Sequence, residues 1–166
     1  MASLAGPMSA RADALGATQA REAIERGAQA WDVRTGQPAH LLPGSVRADL
    51  QTWERSGAID DLARAVSAAG IDLSRDVVVY GRVGDARAQA LVAALERVAT
   101  GPVHWLVGGI DEWQAAGLPT EGRAATRWPV PQRLVVRSPL QGAAEPAAAT
   151  LRRSATVAPS LLASRD

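Results

Sequence analysis

The chain is predicted to be an α/β protein with a central parallel sheet and helices on both faces. Three observations carry this. Short apolar runs alternate with stretches of helical spacing, the order expected of right-handed βαβ units. Residues 76–80 form a continuous β-branched run, Asp76-Val77-Val78-Val79-Tyr80, and a strand apolar at successive positions is one buried on both faces. Nearly half the chain, 47% of 166 residues, is hydrophobic, enough for one sizeable core.

In order along the chain, residues 1–17 contain Gly6, Pro7 and Gly16 and read as a loose, flexible leader. Thr18 is placed to cap a helix running to about Gly27, where a glycine stop ends it. Residues 28–34 make a short buried strand ending in charge. A loop with Gly36, Pro38 and Pro43 leads to a second short strand over 45–50. Ile59, Leu62, Ala63, Val66 and Ala69 share one helical face, and Gly70 closes that helix. Asp72 and Ser74 make the turn into the 76–80 strand. After a loop over 81–85, residues 86–99 form a helix with Ala90, Leu91, Ala94, Leu95 and Val98 facing inward. Residues 103–107 are a further strand, and Asp111 caps a short helix ending before Gly117-Leu118-Pro119. Beyond Gly122 the pattern dissolves: Leu134-Val135-Val136 suggests an edge strand, and the rest of 123–166 is a basic, Ala/Pro/Ser/Arg-rich tail expected to be disordered or partner-bound.

Composition excludes several chemistries. There is no cysteine, so disulfides, thiolate metal sites and thiol nucleophiles are all absent. Two distant histidines fall short of a metal set, and no metal or other cofactor is expected. All eighteen basic residues are Arg, mostly spread out as a compositional bias spreads them. The net charge of +1 gives no case for nucleic acid or membrane binding. The charge is divided unevenly, with 11 Arg and 15 acids over 1–122 but 7 Arg and 2 acids over 123–166, an acidic body with a basic tail. No long apolar span and no signal-peptide pattern over 1–17 are present, so a soluble, cytoplasmic protein is expected.

Four segments carry a family resemblance over roughly residues 18–122. Trp31-Asp32-Val33-Arg34 resembles the Asp-x-Arg that ends the first strand of rhodanese-like domains. His40-Leu41-Leu42-Pro43-Gly44-Ser45-Val46 is similar to their His-Ile-Pro-Gly-Ala segment, with one residue more. Residues 77–88 resemble their central strand and active-site loop, and 105–119 their closing signature. The Ala-rich helix and following strand over 60–80 also resemble tandem sulfurtransferases, which pair an inactive N-terminal domain with an active one. The resemblance implies that the nucleophilic Cys of active members falls on Gly81, which has no side chain to react. The vestigial loop would be Gly81, Arg82, Val83, Gly84, Asp85, Ala86 and Arg87, supported by Asp32 and Arg34. Arg82 and Gly84 match the Cys-Arg-x-Gly pattern. Five residues separate Gly81 from Arg87, one more than in active sulfurtransferases and equal to the phosphatase branch of the fold. Asp85 puts a negative charge into what would be an anion cradle.

A non-catalytic module that binds, regulates or assembles with a protein partner, in part through the basic tail, is therefore the expected function. The alternative is a sulfurtransferase-family enzyme, or an oxyanion-binding protein, that uses the loop without cysteine. Plainer readings accompany several residues. Asp32 and Arg34 are expected as a structural ion pair bracing loops at the strand end. His104 is expected to be packed in its strand and His40 to sit in a loop. Asp60, Asp61, Asp111 and Glu112 are expected to favour helix starts through the dipole. Trp53 and Trp128 either pack loops or make exposed contacts.

Overall fold

The computed structural model describes residues 12–131 and 133–136. Five parallel strands form one sheet in the order β1-β5-β4-β2-β3: β1 (Asp13–Leu15), β2 (Gln29–Asp32), β3 (Val46–Arg47), β4 (Val77–Tyr80) and β5 (Val103–Leu106). Central β4 is buried at every residue, as its unbroken β-branched run requires. The helices α1 (Ala17–Glu25) and α5 (Gly109–Ala115) cover one face, where Ala20, Ala23, Ile110 and Trp113 pack on Val78, Tyr80 and Leu106. The other face takes α3 (Ile59–Ala69) and α4 (Ala86–Glu96), whose Leu62, Val66, Leu91 and Leu95 pack on Trp31, Val77 and Val79. The order of elements and the helices on both faces agree with the sequence reading.

Several details differ from it. Residues 13–15, assigned to the leader, are β1, an edge strand in register with β5 at Asp13↔His104. At three residues it is too short to show a period. A six-residue helix, α2 (Gln51–Ser56), fills a stretch left without an element. The α1 N-cap is Gly16, not Thr18, and its backbone N–H donates to Gln19 Oε1 at 3.1 Å. The α5 N-cap is Gly108, which puts Asp111 inside the first turn instead of at the cap. Leu134–Val136 forms no strand. The turn at Asp72 is as expected, with both the Ser74 N–H and hydroxyl donating to Asp72 Oδ1.

Within the segment read as tail, residues 123–131 run extended across the N-terminal ends of the strands. Ala125 N–H donates to Ser45 O at 2.7 Å and Val130 N–H to Ser67 O at 3.0 Å. The Arg127 guanidinium reaches Gln29 Oε1 and Gly44 O. Side-chain and backbone hydrogen bonds hold this stretch without any sheet ladder, so no hydrophobic period announces it. Residues 1–11 of the expected leader and 137–166 of the expected tail lie outside the described residues. Among the described residues, no helix is long and apolar enough to cross a membrane.

Candidate functional site

A parallel α/β sheet presents the C-terminal ends of its strands to solvent, and loops there carry ligands. The sheet delivers β4 to that edge, and Gly81 follows it, buried. The chain turns through Arg82-Val83-Gly84 and enters α4 at Asp85. Asp85 is the α4 N-cap: Oδ1 accepts from Arg87 N–H at 2.9 Å and Oδ2 from Arg82 N–H at 3.4 Å. A Cβ built on Gly81 would lie 2.7 Å from both Cβ and Cγ of Asp85, and closer still to Oδ2. The carboxylate therefore stands where a side chain at position 81 would go.

The start of α5 holds the loop from the other side. Ile110 N–H donates to Gly81 O at 3.0 Å, and Asp111 Oδ2 accepts from Val83 N–H at 3.1 Å. Gly109 has φ +56°, and a Cβ on it would lie 2.6 Å from the Arg82 carbonyl carbon. Only glycine permits this approach at that φ without strain. Glu112 ties the same helix to α1 by accepting from Ala17 N–H at 3.1 Å. Asp111 and Glu112 thus anchor neighbouring backbone, a role the dipole argument did not reveal; the paired glycines before them were its sequence signal. Three amides around the loop, those of Arg82, Val83 and Arg87, are satisfied by the protein's own carboxylates.

Asp32 and Arg34 lie beside the loop as a buried ion pair. The Asp32 side chain is fully buried and that of Arg34 is 11% exposed, with Nη2–Oδ2 at 2.7 Å. Arg34 Nε also donates to Oδ1 at 3.0 Å, and Nη2 donates to His40 O at 2.6 Å. The guanidinium sits 5.7 Å over the Tyr80 ring. The pair thus braces the loop and the strand end. Arg87 is held by Glu54 of α2 at 2.5 Å, a partner with no signal in the sequence because α2 itself had none. Arg34, Arg82, Asp85 and Arg87 line a cleft of about 350 Å³ that brings Arg34 to the 81–87 loop, while Asp32 stays buried behind it. No cluster of three metal-ligating side chains exists among the described residues.

Tyr80, the chain's single tyrosine, ends β4 beneath the Arg34 guanidinium. Its hydroxyl donates to Ser45 Oγ at 3.0 Å and accepts from Leu42 N–H at 3.1 Å. Burial, and then the negative charge of Asp32, push its pKa up to about 12. The folded state therefore keeps a proton that the unfolded chain releases near pH 10, and stability falls as pH rises between about 10 and 12, by roughly 2–3 kcal/mol. Ultraviolet absorbance of the tyrosinate, followed on native and denatured protein, reads one group only. The native curve should lag the denatured one by about two pH units; coincident curves would contradict the buried hydroxyl.

A family model described as a rhodanese-like domain matches residues 16–116. Among solved structures, the chain is similar to SseA of Escherichia coli, named there with the 3-mercaptopyruvate sulfotransferases. Identity is 19% and the TM-score 0.63, covering 76% of this chain and 56% of that one. It is similar to Alr3790 of Anabaena sp. at 27% identity and a TM-score of 0.50, covering 66% and 82% of the two chains. It is also similar to a thiosulfate sulfurtransferase of Pseudomonas aeruginosa at 24% identity and a TM-score of 0.51, covering 75% and 22%. The chain thus spans just over half the length of SseA. No curated protein matches.

Proposed function

The chain belongs to the rhodanese-like domain family, and from that premise we propose that it is a non-catalytic member that binds, regulates or assembles with another protein. One observation carries the reading: the Asp85 carboxylate occupies the space beside Gly81 and takes two of the amides around it. Sulfur transfer in this fold needs a thiolate there, and the chain has no cysteine at all. The loop is also stable without a ligand, because Asp85 and Asp111 already supply the negative charge its N–H groups would attract. What remains is a rigid scaffold with an exposed, Arg-bearing loop and an uneven charge distribution, features suited to protein recognition.

The arginines of the cleft favour a second reading, oxyanion binding without chemistry. The two separate on one set of measurements. Cyanide-dependent thiocyanate formation from thiosulfate or 3-mercaptopyruvate should stay at the blank rate. Calorimetric titration with thiosulfate and with phosphate should show no saturable heat. Turnover by the cysteine-free chain would overturn the proposal. Saturable anion binding that Arg82→Ala abolishes would transfer it to the second reading.

A further inference from the structure

We propose that a second copy of this chain docks on the first, with Trp128 of one copy seated in an apolar hollow of the other. The hollow lies at the C-terminal ends of β1 and β5, between the loop and α5. It has a volume of about 670 Å³ and is lined by Leu15, Val83, Val107 and Ala115, with Asp111 and Glu112 at its rim. Val83 is 68% exposed and Val107 38%, so the lining is unpartnered within the described residues. An exposed apolar patch in a shallow depression, edged by polar residues, marks an interaction site.

Trp128 is the complementary feature. It is 90% exposed, the most exposed large hydrophobic residue described. Its backbone is nonetheless fixed, by the Ala125 and Val130 N–H bonds and by the Arg127 anchor. An aromatic held out from a pinned backbone loses little freedom on docking, the property of interface anchors. The charges are opposite. Exposed Arg123 and Arg133 lie on the same segment, which has no acid from 122 to 136, while the hollow carries Asp111 and Glu112.

The contact cannot close within one molecule. The backbone of Trp128 packs on Gly70 at the N-terminal side of the sheet, whereas the hollow opens at the C-terminal side. Anchor and hollow being different surfaces, the contact is heterologous, and repetition extends it into chains or rings.

The test uses the full chain and two surface variants, Trp128→Ala and Val83→Glu, neither of which touches the core. In sedimentation velocity the unmodified chain should rise in mass between about 1 and 200 μM, as a micromolar contact would. Raising the salt should reduce that association severalfold, because the flanking charges are exposed. Each variant alone should stay monomeric. An equimolar mixture should form a one-to-one dimer and nothing larger, since one variant keeps its hollow and the other its tryptophan. An unmodified chain that stays monomeric at the highest concentration overturns the proposal. So does association that survives either substitution, or a mixture that fails to pair.

Discussion

Gly81→Cys alone should yield no measurable sulfurtransferase activity, while the paired variant Gly81→Cys/Asp85→Ala should yield a reactive thiol. The single variant places a Cβ within 2.7 Å of the Asp85 side chain, which must swing away and give up its bonds to Arg87 and Arg82 N–H. A thiol that does fit faces a carboxylate, so its pKa stays at or above the usual value of about 8.5 and little thiolate exists at neutral pH. Removing Asp85 frees both the space and the amides. The N-terminus of α4 then faces the sulfur, and such a position lowers thiol pKa values, commonly by a unit or more. Each unit gives about a tenfold gain in thiolate near pH 7. Loss of the N-cap costs about 1 kcal/mol, which a folded domain tolerates. Alkylation rates against pH for both variants measure this directly, with thiocyanate formation as the second readout. Fast alkylation of the single variant would show that Asp85 is not the obstacle. Equal, slow rates in both would show that the longer connection to Arg87 has reshaped the loop.

The part of this site that sequence reveals is chemical, and the part it hides is geometric. Gly81 at the end of Val77–Tyr80, and an acid at 85, are visible in the letters; that the acid folds back over the glycine is a property of the N-cap rotamer at α4. The same division runs through the fold. Central β4 and helices α3 and α4 bury long apolar patterns, and their periods are visible. Edge strand β1, short α2 and the extended 123–131 segment are held by backbone pairing and by single side chains such as Arg127, so their sequences carry no period. Trp128 shows the limit most plainly: an isolated tryptophan in a Pro-flanked stretch is equally consistent with a packed loop or a bare surface, and only the course of residues 123–131 decides.

Breaking the Asp32–Arg34 pair should destabilise the domain more than any change in the loop. Arg34→Leu leaves a fully buried carboxylate with only the Arg34 backbone N–H, at 2.9 Å, of the four bonds it receives now. Stranding a buried charge in this way costs about 3–5 kcal/mol. Asp32→Leu strands the guanidinium instead, with His40 O and the Tyr80 ring as its remaining partners. Because the guanidinium is slightly exposed and water can reach it, this second loss should fall at the lower end of that range. The variant carrying both substitutions strands neither charge, and apolar replacement of a buried pair is often close to neutral. Denaturant unfolding of the three variants should therefore show a double loss smaller than either single loss, far below their sum. Additive losses would mean that the two side chains act independently. A single-variant loss under about 1 kcal/mol would remove the pair from its structural role.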